Sequence, residues 1–212
     1  MTRGRFIAFE GGEGMGKSTQ ARMLAESLRE SGLTVTLTRE PGGTPGAEAI
    51  RELLLAPPGS GWTMEAEALL FAAARADHVA HSIRPALDDG EWVICDRFID
   101  SSRAYQGVAG EMGDDAIMGL HAFGSDGLMP DLTIMIEAPQ DVVSARLAAR
   151  DGDNSDAIGG RTSSYHSAVN EAFRDFASRE PARFAIVDGA GSIEDLHRRV
   201  LSEVARRLGT SE

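Results

Sequence analysis

Residues Gly11 to Thr19 read GGEGMGKST. They lie between the apolar run Phe6-Ile7-Ala8-Phe9 and a pattern in which Ala21, Leu24, Ala25 and Leu28 share one helical face. Gly11, four residues, Gly16, Lys17 and Ser18 fit G-x-x-x-x-G-K-[ST], which demands a strand, a tight loop and a helix in succession. The glycines let backbone N–H groups turn inward around phosphate oxygens, and the helix adds its positive N-terminal end. Lys17 is placed to reach the β- and γ-phosphates, and the Ser18 hydroxyl to ligate Mg²⁺. The whole stretch, Gly11, Gly12, Glu13, Gly14, Met15, Gly16, Lys17, Ser18 and Thr19, is the candidate triphosphate-binding loop. Among 21 Lys+Arg, Lys17 is the only lysine. A compact ammonium on a flexible stem does there what a planar guanidinium cannot.

Strands are predicted at Arg5 to Phe9, Thr34 to Thr38, Trp92 to Cys95, Leu132 to Glu137 and Phe184 to Val187. Each is a short apolar run of the kind covered on both faces. Helical patterns alternate with them, ending in Ile193, Leu196, Val200 and Val204. The alternation implies an α/β fold, a five-stranded parallel sheet with helices on both faces. Ligands of such sheets sit at the carboxyl ends of the strands. The loops after Phe9, Thr38, Cys95 and Glu137 are therefore expected to face one site. Phe71 and Arg75, four apart, share a helix face. The apolar seam of that helix is expected along Leu69, Ala73, Ala76, Ala80, Ile83 and Leu87, roughly opposite them. The length of 212 residues fits one domain, residues 1–212. The polar, glycine-rich stretch Arg150 to Gly160 marks a candidate lid, about residues 146–162.

The formal net charge of −12 argues against a nucleic-acid polymer as partner. No apolar run approaches the ~20 residues of a membrane helix. With one cysteine, Cys95, and no signal-peptide pattern, a cytoplasmic location is expected. A GTPase switch needs Asn-Lys-x-Asp, and the only lysine is not preceded by Asn. A motor ATPase usually places Glu after the Asp that ends an apolar strand. Here WVIC is followed by Asp96-Arg97, which suits neutralising a transferring phosphate rather than activating water. A phosphotransferase is the reading these features favour. The rivals are a P-loop kinase for another nucleoside monophosphate, a P-loop ATPase and a nucleotide-binding module.

The chain resembles the bacterial thymidylate kinases, P-loop nucleoside monophosphate kinases that phosphorylate dTMP with ATP. The resemblance covers nearly the whole chain. It rests on FEGGEGMGKST, TREPGGTPGAEAIRELLL, LLFAAARADH, ICDRFIDSSRAYQG and MPDLTIMIEAP. Asp-Arg followed by Ser-Ser-x-Ala-Tyr-Gln-Gly is more specific than the phosphate loop alone, and resembles thymidylate kinases rather than adenylate or guanylate kinases.

By position, the resemblance implies that Glu13 lies near the acceptor sugar and phosphate, that Arg97 binds the acceptor phosphate and that Asp96 lies near Mg²⁺ beside Ser18. It implies that Phe71 stacks on thymine, that Arg75 reaches a base carbonyl, and that Ser102 and Gln106 lie around the base edge. Tyr105 packs under the deoxyribose. Glu40 and Pro41 line the pocket, and Arg51 lies near its phosphate end. The phosphate loop has Met15 and no arginine, which resembles the members whose catalytic arginine sits in the lid. Where many members read Asp-Arg-Ile, this chain reads Asp156-Ala157-Ile158. Arg150 and Arg161 are the favoured lid arginines and Arg146 the alternative. The resemblance also implies a homodimer.

Overall fold

A computed structural model of the chain describes residues 3–139, 142–143, 146 and 160–209. In chain order the elements are β1 (Phe6–Glu10), α1 (Lys17–Glu30), β2 (Val35–Arg39), α2 (Pro45–Leu55), α3 (Met64–His78), α4 (Arg84–Asp88), β3 (Trp92–Asp96), α5 (Ile99–Ser102), α6 (Asp114–Ser125), β4 (Leu132–Glu137), α7 (Ser163–Arg179), β5 (Phe184–Asp188) and α8 (Ile193–Leu208). Two π-helical stretches interrupt this series. Val79–Ile83 joins α3 to α4, and Arg103–Ala109 continues α5. Each strand lies within one residue of its sequence reading at both ends.

All strand pairings are parallel, in the order β2-β3-β1-β4-β5. The central strand β1 is wholly buried and shows why its sequence is apolar throughout. Successive side chains leave a strand on opposite faces. Ile7 and Phe9 join Leu24 and Leu28 of α1 and Val200 and Val204 of α8. Phe6 and Ala8 join Val79, Ile83 and Phe98 on the other face. Both faces are thus covered by helices, as a parallel sheet requires. A third cluster packs Phe173 and Phe176 of α7 against Tyr105. The chain builds β2 and β3 on one side of β1, then β4 and β5 on the other. This reversal opens a crevice beyond the carboxyl end of β1.

The seam expected on α3 is not the one it buries. Leu69, Ala73 and Ala80 are exposed, while Glu67, Ala68, Ala74, Arg75 and His78 face inward. Arg75 therefore points into the protein, not away from it. Two physical causes combine. The buried face of α3 carries Glu67, Arg75 and His78, each bonded to a polar partner, so apolar periodicity does not mark it. The wide turn Val79–Ile83 then shifts the helical phase, so that Ile83 and Leu87 are buried as expected.

Candidate active site

The phosphate loop leaves the carboxyl end of β1 and enters α1 at Gly16, whose φ of 91° is left-handed. Gly11 has φ 129°, and a Cβ there would approach the Ile136 carbonyl oxygen at 2.6 Å. Only glycine fits that approach. Helix α1 has no side-chain cap, so its first N–H groups remain for an anion. Lys17 is buried, and its Nζ donates to the Gly12 carbonyl at 2.6 Å. Burial pushes the Lys17 ammonium down to about 7, with Arg97 acting in the same direction. Asp96, Glu10 and Glu13 oppose the shift.

The end of β3 supplies the next groups. Ser18 donates its hydroxyl to Asp96 Oδ2 at 2.5 Å. Asp96 Oδ1 is buried and unpartnered. A hydroxyl, an orphaned carboxylate oxygen and a phosphate-binding loop form the hard-oxygen set that Mg²⁺ takes with nucleotide and water. Among the described residues no cluster of three or more His, Cys, Asp or Glu could hold a metal without such help.

Arg97 turns the chain with a left-handed φ of 68°. Its guanidinium donates to the Gly11 carbonyl at 3.3 Å and to Ser101 Oγ at 3.1 Å, and lies 5.3 Å from the Tyr105 ring centroid. Burial alone would lower its pKa, but Tyr105, Glu10, Asp96 and Glu13 outweigh it and raise the value. Glu10, fully buried, holds this turn. It accepts from the backbone N–H groups of Phe98 at 2.8 Å and Ser101 at 3.0 Å, and from Ser101 Oγ at 2.6 Å. Burial first, then Asp100, push its carboxyl up to about 7, against the pull of Arg97 and these hydrogen bonds.

Glu13, Lys17, Ser18, Asp96 and Arg97 share one cavity of about 410 Å³ with Glu40, Pro41, Arg51, Phe71, Arg75, Ser102, Tyr105 and Gln106. Elements distant in sequence thus converge, and the size suits a nucleotide-sized ligand. Arg75 donates from Nε to Glu40 Oε2 at 2.7 Å and from one terminal nitrogen to Ser102 Oγ at 2.9 Å. His78 bridges Glu40 Oε1 at 3.2 Å and Thr38 Oγ1 at 2.7 Å. Arg51 donates to the Pro41 carbonyl at 2.7 Å. Tyr105 and Gln106 sit on the π-helical stretch after α5, a geometry that recurs at functional sites.

The candidate lid arginines part company. Arg146 donates to the Gly189 carbonyl at 3.0 Å and to the Met15 carbonyl of the phosphate loop at 3.4 Å. Arg161 pairs with Glu67 at 2.5 Å and with the Tyr165 hydroxyl, rather than with the phosphate loop. Arg150 and most of the lid segment lie outside the described residues.

Sequence reasoning missed Glu10, Arg39, Glu67, His78 and Ser101. Arg39 and Ser101 line the cavity, and the other three hold residues that do. Glu67 is four residues before Phe71, on the same helix face, and that spacing was an available signal.

The thymidylate kinase family model matches residues 9–200. A thymidylate kinase of Rhizorhabdus wittichii is 52% identical over 205 residues, covering 97% of this chain and 99% of the relative. One from Symbiobacterium thermophilum is 45% identical, covering 95% and 94%. The crystal structure of thymidylate kinase from Ehrlichia chaffeensis is similar at a TM-score of 0.78 and 32% identity, covering 95% of this chain and 99% of that one.

Proposed function

The chain belongs to the thymidylate kinase family, phosphorylating dTMP to dTDP with ATP, and we propose that the transfer takes place in the cavity between Lys17 and Gln106. The observation that carries this reading is the convergence of Glu13, Lys17 and Ser18 of the phosphate loop with Phe71, Arg75, Ser102 and Gln106 on one cavity. ATP lies along Gly11 to Thr19, its phosphates on the loop N–H groups and Lys17. Ser18 and Asp96, whose Oδ1 is unpartnered, are the residues that would hold Mg²⁺. When bound, it supplies positive charge to the phosphate oxygens.

On the acceptor side, Arg97 receives the dTMP phosphate, with Glu13 and Arg51 beside it. Phe71 stacks on thymine, Arg75 donates to its O4 carbonyl, and Ser102 and Gln106 border the base. Tyr105 packs against the deoxyribose, and Glu40 and Pro41 complete the wall. An oxygen of the dTMP phosphate attacks the γ-phosphorus in line. The new O–P bond forms as the bond to the ADP oxygen breaks. No general base is required, because a phosphate monoester with a second pKa of about 6 is largely dianionic near pH 7. The protein contributes position and charge, and a closing lid within residues 146–162 of the single domain excludes water.

A homodimer in the cytoplasm is part of this proposal. Its support is apolar exposure on helices α2, α3 and α6: Leu53, Leu69, and Phe123 at 94% exposed. No described helix is long and apolar enough to cross a membrane. The functional test is a screen of nucleoside monophosphates with ATP and Mg²⁺, following ADP release. Turnover is expected to be highest with dTMP, weaker with dUMP and poor with purine monophosphates. Faster turnover with AMP or GMP overturns the acceptor assignment.

A further inference from the structure

Glu67 is buried on the inward face of α3 and accepts two hydrogen bonds from different elements. Gln106 Nε2 donates to its Oε1 at 2.8 Å, and Arg161 to its Oε2 at 2.5 Å. Arg161 also lies over the Tyr165 ring, 4.6 Å from the centroid. The Tyr165 hydroxyl donates to the Tyr105 carbonyl at 2.6 Å. The start of α7 is thereby tied to both α3 and the π-helical stretch that carries Gln106.

An amide side chain can present either its oxygen or its nitrogen, and packing alone rarely decides which. Here the chemistry decides. Facing a guanidinium, Glu67 is a carboxylate and an acceptor at both oxygens. Only the nitrogen of Gln106 can face it, and the amide oxygen then lies on the other fork. Gln106 lines the cavity. With Arg75 as a donor to one base carbonyl, an oxygen on Gln106 adds an acceptor beside it. Thymine and uracil match that pair with O4 and N3–H. Cytosine presents an amino group and an unprotonated N3, and mismatches both.

We propose that the Glu67–Arg161 pair is a positioning device that fixes the Gln106 amide with its oxygen toward the acceptor base, selecting pyrimidines that carry N3–H over cytosine. The proposal rests on the placement of Gln106 at the base edge given above. It accounts for a buried carboxylate that bonds Gln106 and for the engagement of Arg161 with Glu67 rather than with the phosphate loop.

The test compares dTMP, dUMP and dCMP as acceptors for the wild type, Glu67→Gln, Arg161→Met and Gln106→Ala, each verified as folded by circular dichroism. Ratios are read from kcat/KM, or from Kd by calorimetry where turnover is too slow. Glu67→Gln keeps the shape but lets the neighbouring amide rotate. It is expected to lower the dTMP:dCMP preference about tenfold, the discrimination carried by one buried hydrogen bond. The dTMP:dUMP preference should stay unchanged, since both bases carry N3–H. Arg161→Met breaks the same pair from its more exposed side and should shift the same ratio, which also covers a Glu67 variant that fails to fold. If Gln106→Ala lowers the dTMP:dCMP ratio while neither Glu67→Gln nor Arg161→Met does, the proposal is overturned and the placement of Gln106 stands. If Gln106→Ala leaves that ratio unchanged, both fall. A loss of turnover on all three acceptors with ratios intact assigns the pair a purely structural role and overturns the proposal.

Discussion

Arg75 Nε donates to Glu40 Oε2 across 2.7 Å, and both side chains are almost wholly removed from solvent. The pair joins the last turn of α3 to the loop after β2. His78 holds the second carboxylate oxygen and Ser102 a terminal nitrogen of the guanidinium. Such a planar fork, bonded on two edges, cannot swing, so it meets the cavity in one orientation.

Breaking that pair leaves a buried charge without its partner. Glu40→Ala is expected to destabilise the protein by about 3–5 kcal/mol. The same change should raise KM for dTMP more than it lowers kcat, because Arg75 loses its brace. Urea unfolding and acceptor saturation curves check both parts. A loss below about 1 kcal/mol, the scale of an exposed pair, contradicts the buried-pair account.

Lys17 carries a different kind of constraint. Its ammonium is buried and bonded to the Gly12 carbonyl, inside a loop that leaves room for a point charge and not a fork. Lys17→Arg is expected to remove most phosphoryl transfer with folding intact, although the formal charge is kept. Burial holds Lys17 down to about 7 without nucleotide, so an arriving polyphosphate also favours its charged form. Near-normal kcat in a folded Lys17→Arg protein refutes this reading of the lone lysine.

Glu10 gives a pH dependence whose sign can be worked out. Its carboxyl rises from 4.5 to about 7 on folding, through burial first and then Asp100, opposed by Arg97, Ser101 and the Phe98 N–H. A raised acid binds more protons when folded than when unfolded between those values. Its contribution to stability is therefore fully present below about 4.5 and lost as pH rises through about 7. The difference in unfolding free energy between wild type and Glu10→Gln should fall steadily across that window. Paired urea titrations from pH 4.5 to 8 read it, and a difference that stays flat or rises removes the assignment.

The sequence made the phosphate loop and the sheet legible for one physical reason: both are local. Gly11 and Gly16 need left-handed or crowded backbone, Lys17 and Ser18 follow at fixed spacing, and the central strand β1 is a short run that must be apolar on both faces. The edge strands β2 and β5 depart from the expected double cover, since each has neighbours on one side only and leaves Leu37 and Ile186 exposed. The resemblance carried Arg97, Phe71 and Arg75 further, and the structure brings all three to one cavity. What stayed hidden was the polar interior. Glu10, Glu67 and His78 are buried because each bonds a group distant in sequence: Ser101, Gln106 and Thr38. Hydrophobic periodicity equates burial with apolarity, so it drew the α3 seam through exposed Leu69 and passed over buried Arg75. The π-helical stretch under Tyr105 and Gln106 left no periodic mark either.

The lid arginines give the last prediction. A transition-state contact that is absent from the ground state lowers kcat and leaves KM nearly unchanged when removed. Arg146 is bonded to the Met15 and Gly189 carbonyls, bracing the phosphate loop against the loop after β5. Arg146→Ala should therefore loosen the donor site and raise KM for ATP. Arg161 is engaged with Glu67, on the acceptor side, so its loss should register in acceptor discrimination. Arg150 then carries the catalytic expectation among the three. Arg150→Ala should lower kcat by about 10²-fold or more at saturating ATP and dTMP, the scale of a lost electrostatic contact to the transferring group. The three alanine variants are to be compared side by side at saturation. If Arg150→Ala keeps near-normal kcat, the catalytic role passes to whichever of Arg146→Ala or Arg161→Ala collapses. A collapse of Arg161→Ala in kcat alone would mean that its bond to Glu67 is exchanged for the phosphates during the reaction.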